Sequence, residues 1–491
     1  MKTIRIFKNM NMNNVFAVIA LVGVSASSAS ELVESFHNPP DSARPGVYWY
    51  FMDGNMDREM MEVDLHSMHE AGLRKALFLE VNIGVPRGPM DFMSEAWQDN
   101  FANAAKLADQ LGIEIILGTG PGWSGSGGPW VKPEQSMQHL CASSVEINTP
   151  GPTQVKLPIP EPLKPSPFSG LSGVLSQLRD EWFADVAVLA FPTPVPTAAP
   201  DRLDVKALQK TDPYSIWKQV LRYVPSTAEY PEPDAASVIQ PDSIVDLTGK
   251  MRPDGSLDWT VPPGNWTVMR FAARSTGQTT RPAPRPGHGF EVDKFDAEAF
   301  ASHFENFHQK LMDKVGPRRA NRGWTALHLD SWEMSSQNWT KSFREAFTKQ
   351  CGYDPQPFYP AYHGLIVGSR KQTERFLYDM RRVAQELLLS QYVQTIKDTA
   401  HQNGFYYTSQ GYDMNPAGDL DILSMADIPS CEFWINNKVD TVYSCVEAVS
   451  AAHTMGKSIV RAEAFTSGGS VFGVSPGDMK NQSNWAFAMG I

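Results

Sequence analysis

Alternation of strand-like runs with amphipathic helical stretches constrains this 491-residue chain most, because that rhythm calls for a parallel sheet with helices packed outside it. A first apolar run at 47–52 precedes a helical stretch with Met61, Leu65 and Met68 on one face, which closes at Gly72. A second run at 76–81 leads to Phe101, Ala104, Ala108 and Leu111 at helical spacing, and Gly112 then introduces a third run at 113–117. From about Leu140 to Arg281 the pattern becomes β-rich, with runs such as 186–191 and 266–272 separated by prolines and an Asp254-Gly255 turn. Helical spacing returns with Phe300, Phe304, Phe307 and Leu311 and again with Phe376, Met380, Val383 and Leu387, and strands are predicted at 326–330, 405–409, 428–434 and 458–465.

The expected architecture is a (β/α)8 TIM-type barrel: a first part at 31–139, an inserted β-sandwich-like domain at 140–281 and the remainder at 282–491. Seven barrel strands are predicted. An eighth would follow the helical stretch near 484–489, so the barrel is expected to be truncated before or in that strand, with the edges of strands one and seven unpaired.

Residues 1–30 read as a secretory leader: Lys2, Arg5 and Lys8 are followed by an apolar run at 15–24 and small residues at 26–30. A secreted or periplasmic protein is expected. No later stretch of about 18 uncharged apolar residues occurs, so no membrane insertion is expected. The formal charge of −11 becomes −14 without the leader, which disfavours nucleic acid and anionic membrane surfaces as partners. Four cysteines without a C-x-x-C pair are too sparse for a disulfide scaffold. Nothing in the sequence indicates an oligomeric state.

In a barrel of this kind the chemistry lies at the C-terminal strand ends. Those ends carry Asp53-Gly54-Asn55, the glycine-rich stretch 118–123, Asp330 to Glu333, Gln410 to Asp413, Glu432-Phe433-Trp434 and Glu463 to Thr466. Glu333 and Glu463 end strands four and seven, on roughly opposite sides of the mouth. Cleavage of a glycosidic bond needs such a pair, one carboxyl to protonate the departing oxygen and one to activate water or attack the anomeric carbon. A single glutamate at such a position is as well explained by a solvated surface. Glu432, between Cys431 and Phe433, is the rival acid, since an apolar setting lets a carboxyl keep its proton.

Asp53, Asn55, Trp123, Asp330 and Trp434 are candidate substrate contacts, and Trp123 or Trp130 offers a ring for a sugar to stack on. The stretch 118–130 lacks the endings of phosphate-binding loops, and there is no H-E-x-x-H or Cys/His cluster for zinc. A hard cation held by oxygens is compatible with these strand ends, although its ligands are not identifiable from the sequence. A non-catalytic carbohydrate-binding protein and a polysaccharide lyase remain alternative readings.

Asn38-Pro39-Pro40, Ala43-Arg44-Pro45, Trp49 to Asn55, Gly120 to Trp130, Asp330-Ser331-Trp332-Glu333, Gly352-Tyr353-Asp354, Glu432-Phe433-Trp434 and Ala462 to Thr466 together resemble glycoside hydrolase family 106, the α-L-rhamnosidases. The resemblance implies an interrupted (β/α)8 catalytic domain, removal of α-L-rhamnose from plant polysaccharides or glycosides, inversion at the anomeric carbon and calcium as cofactor. It further implies Glu333 as general acid and Glu463 as general base, with Glu432 as the substitute.

Overall fold

The computed structural model describes residues 31–210, 232–413, 416–437, 441–468 and 473–491; the leader reading at 1–30 lies outside them. Seven parallel strands form one sheet: β1 (Gly46–Met52), β2 (Lys75–Val81), β3 (Glu114–Gly118), β10 (Gly323–Leu329), β11 (Tyr406–Ser409), β12 (Ile428–Trp434) and β13 (Arg461–Thr466). Their spatial order is their chain order. Such a singly wound sheet curls in one direction, and its two end strands approach each other. Tyr48 of β1 is hydrogen-bonded to Glu463 of β13 and reaches Asp330 beyond β10, so the barrel is nearly closed.

The period of two decides which side chains enter the barrel. Tyr48, Tyr50 and Met52 pack inside with Leu77, Leu79, Val81, Ile116 and Ala326, while Trp49, Phe51 and Phe78 point out to the helices. Helix α1 (Arg58–Glu70) starts where the Asp57 carboxylate accepts the Met60 amide, and it buries Met61, Leu65 and Met68. Helix α2 (Glu95–Leu111) is capped by Ser94 and stops at Gly112, whose φ of 70° suits glycine. It packs Trp97 and Phe101 against Phe78, the three fully buried rings each contributing about 1.5–3 kcal/mol. Helices α3 (Ala297–Phe304, running on through Val315), α4 (Arg370–Leu387), α5 (Val442–Thr454) and α6 (Pro476–Met489) continue the outer layer.

Between β3 and β10 an antiparallel sheet is inserted, in the order β4 (Gln138–Ile147), β9 (Trp266–Ser275), β6 (Ala184–Pro192), β7 (Val245–Asp246). A two-stranded ladder, β5 (Gly151–Lys156) with β8 (Ser256–Val261), lies beside it. The four-stranded sheet of the insert is apolar on both sides. Val188, Ala190 and Val268 pack on the ladder's Leu257, Trp259 and Val261, but Leu189, Phe191, Met269 and Phe271 on the opposite face join the main core. Phe271 meets Tyr359 at a ring separation of 5.7 Å. The sheet thus lies between the ladder and the barrel, and the ladder's outer face carries exposed side chains of the insert, at Asp258 and Thr260.

Candidate active site

A cavity of about 1710 Å³ extends from the C-terminal strand ends along the gap between β1 and β13 as far as Gly46, Lys75 and Ile491, and its lining includes Tyr48, Trp123, Asp330, Glu333, Glu432, Trp434 and Glu463. Six of the eight residues singled out in the sequence thus share one space. Asp53 and Asn55 do not line it. The Asp53 carboxylate accepts the Arg285 amide at 3.0 Å, and the exposed Asn55 amide donates to the carbonyls of Met52 and Pro86 at 2.7 and 2.9 Å, so both hold the loop after β1 in shape. Trp130 also faces elsewhere, donating to His303 at 3.1 Å and packing on Phe307.

Glu333 stands on one wall. Its Oε2 accepts the Trp123 indole N–H at 2.8 Å and lies 3.4 Å from the Arg281 guanidinium, which donates to the Glu333 carbonyl at 2.9 Å. The glycine-rich loop makes this arrangement possible. The Arg281 carbonyl accepts the amides of Trp123 and Ser124, and a Cβ on Gly122 would fall 2.5 Å from that same carbonyl oxygen. Glycine is needed there for close backbone approach, and φ is positive as well. Arg281 was invisible to sequence reasoning, because nothing in its neighbourhood shows that the end of the insert returns to the barrel mouth.

Glu432 and Glu463 stand on the other wall as register partners on adjacent parallel strands, so their side chains emerge side by side. Glu432 is buried, accepting the Tyr412 hydroxyl on Oε2 and the Trp434 indole N–H on Oε1. Burial, followed by the charges of Asp330 and Glu333, holds its carboxyl above the usual range despite those hydrogen bonds. Glu463 is half-buried and lines the cavity. Thr466 donates to its Oε1 at 2.6 Å, Gln410 approaches its Oε2 at 3.5 Å, and the Tyr48 hydroxyl is a third partner. Burial first, then Asp330 and Glu432, push the Glu463 carboxyl up to about 8. Asp330 accepts from the Ser331 amide at 2.8 Å, and its Oδ2 lies 3.0 Å from His328 Nε2 and 3.4 Å from the Tyr48 hydroxyl. Of these neighbours, Tyr48 had a readable signal, since it alternates with Tyr50 on a strand whose odd positions face the helices.

Below the loop lies a second carboxylate of a different kind. Glu291, fully buried, is paired with Lys294 at 2.6 Å and accepts the Ser126 amide at 2.9 Å; the ammonium sits 4.5 Å from the centre of the Tyr392 ring. Among the described residues no three Asp, Glu, His or Cys side chains converge as a metal cage. The four cysteines are free thiols, and no helix among the described residues is long and apolar enough to cross a membrane.

A parallel barrel that presents carboxyls from two walls of an aromatic-lined cavity carries the groups that glycoside hydrolysis requires. Comparison with known proteins makes this specific. The profile of the alpha-L-rhamnosidase family, glycoside hydrolase family 106, matches residues 37–491, and the chain belongs to that family. It is 33% identical over 463 residues to a Formosa agariphila protein provisionally named beta-glucuronidase, an alignment that covers 94% of this chain and 37% of that one. A solved structure of a rhamnosidase from Novosphingobium sp. PP1Y superimposes with a TM-score of 0.80 at 26% identity, covering 93% of this chain and 55% of the other. The chain thus spans little more than a third to about half the length of these relatives.

Proposed function

We propose that the chain is an exported glycosidase that removes α-L-rhamnose from plant polysaccharides or glycosides by inversion, with Glu333 as general acid and Glu463 as general base. The arrangement of the two carboxyls across one cavity carries the reading. Glu333 follows β10 and Glu463 lies on β13, with two strands between them, and strands stand about 4.8 Å apart. Inversion needs room for a water between the two carboxyls, at spacings of about 6.5–9.5 Å, and carboxyls on strands that are not neighbours can leave that room. Trp123 and Trp434 supply rings on the two sides. The acid protonates the glycosidic oxygen as the bond breaks, and the base takes a proton from water attacking the opposite face of the sugar.

A base has to be ionised. With its carboxyl pushed up to about 8, Glu463 takes up that role as pH rises through this value, so kcat/KM should climb along that limb. A fall in kcat/KM over the same range would make Glu463 the proton donor and Glu333, beside Arg281, the base. Calcium belongs to this proposal through family membership alone, and no step above uses it. Loss of activity on chelation and its return on adding calcium back would support the dependence.

A second reading has its own observation. Glu432 and Glu463 are immediate neighbours, and carboxyls only about 5 Å apart belong to retaining enzymes. The name of the Formosa relative adds an acidic sugar to the candidates. Aryl α-L-rhamnoside and aryl β-D-glucuronide assayed in parallel, with the first-formed anomer followed by proton NMR, separate the two. Inverted rhamnose supports the proposal; a retained anomer from either substrate rejects it. An unsaturated, ultraviolet-absorbing product would instead indicate a lyase.

A further inference from the structure

Every carboxyl at the mouth has hydrogen-bond partners, but one hydroxyl links two of them. Tyr48 projects from β1, is stacked on Tyr50 at 5.4 Å, and its Oη lies 3.4 Å from Asp330 Oδ2 while also hydrogen-bonding Glu463. These two carboxyls come from opposite ends of the second half of the sheet, beyond β10 and on β13, and Tyr48 bridges them from the far edge. A phenol has one hydrogen to give and lone pairs to accept with. It therefore serves two carboxyls in two ways. With Glu463 ionised, the hydroxyl donates to Glu463. With Glu463 protonated, Glu463 donates to the Tyr48 oxygen and the phenol hydrogen turns to Asp330.

We propose that Tyr48 is a positioning residue that stabilises ionised Glu463 and aims its carboxylate into the cavity, with Asp330, anchored by His328, as the acceptor to which its hydrogen turns when Glu463 carries a proton. The inference rests on the reading of Glu463 as a reacting carboxyl. The groups facing Glu463 are Tyr48 and Tyr50 from β1, Asp330 beyond β10 and Glu432 from β12, and no ion pair to it occurs among the described residues. Thr466 and Gln410, its other hydrogen-bond partners, carry no charge. Tyr48 is thus the one ionisable neighbour that favours the charged form by donating to it. The phenol itself stays neutral, its own ionisation pushed well above the ordinary value by burial and by Asp330 and Glu463.

The test is Tyr48→Phe in the full chain, with kcat and KM measured across pH, beside Glu463→Gln. Loss of one hydrogen bond to a charged group should move the limb that Glu463 sets upward by about one pH unit and lower kcat more than it raises KM. Titration of the Glu463 carboxyl stretch by infrared difference, wild type minus Glu463→Gln, should show the same displacement without depending on turnover. If Tyr48→Phe does not fold, 3-fluorotyrosine placed at position 48 provides a near-isosteric variant with a stronger donor, and the Glu463 titration should then move down. An unmoved limb and an unmoved titration, with Glu463→Gln inactive, would overturn the role of Tyr48 alone. Full activity in Glu463→Gln would remove the reading on which it stands.

Discussion

Glu291 and Glu463 are carboxyls of one barrel treated in opposite ways. Glu291 lies beneath the glycine-rich loop, fully buried and neutralised by Lys294 at 2.6 Å. Glu463 stands at the mouth among Asp330, Glu432 and two tyrosines, where burial and like charge make ionisation costly. The first arrangement holds a loop in place, since Gly125 lacks a Cβ precisely where one would come within 2.4 Å of Glu291 Oε2 and the neighbouring Ser126 amide binds that oxygen. The second keeps a proton close to exchange at neutral pH. The buried carboxylate beneath the loop has been given a cation; the one proposed to react has been given company of its own sign.

The largest effect that could break this contrast is on turnover. Glu463→Gln and Glu333→Gln should each lower kcat on a natural glycoside by about 10²–10⁴-fold with little loss of stability, read from steady-state kinetics beside a thermal melt. For Glu333→Gln an activated aryl rhamnoside should still react slowly, because a good leaving group needs no proton. Lys294→Met should do the reverse. Leaving Glu291 buried without its cation costs about 3–5 kcal/mol, seen as a lower denaturant midpoint, and a stable Lys294→Met protein would remove the distinction between the two carboxyls.

Arg281→Gln tests the Glu333 wall more gently. A hydrogen bond to a charged group is worth about 1.5–3 kcal/mol, so kcat/KM should fall about ten- to a hundredfold, with any shift in the pH profile confined to the limb that Glu463 does not set. Stability against pH tests the Glu463 wall without turnover. The Glu463 carboxyl is raised in the folded chain, so its contribution is complete below the ordinary glutamate value and is lost as pH rises through about 8. The melting temperature of the wild type should therefore decline over that window more than that of Glu463→Gln. Equal declines would show that the proton of Glu463 is not linked to folding.

How much of this was legible beforehand follows from the range of each interaction. The strands at 428–434 and 47–52 were readable because a buried parallel strand is a short apolar run, and the helices because Met61, Leu65 and Met68, or Phe376, Met380 and Val383, recur at the spacing of one face. Glu333, Glu432 and Glu463 were readable as strand-end carboxyls. Asp53 and Asn55 looked equally suitable, and only the packed loop shows that their polar atoms are spent on the Arg285 amide and on the carbonyls of Met52 and Pro86.

The order of the strands, the outer faces of the helices and the supply of acids at one end of a barrel were thus determined by the sequence itself, since periodicity and local turn chemistry act within a few residues along the chain. Which acids meet was decided by tertiary structure. Arg281 reaches Glu333 across 52 residues and Tyr48 reaches Asp330 across 282, and proton affinities at the mouth depend on those meetings because charge acts through space rather than along the backbone.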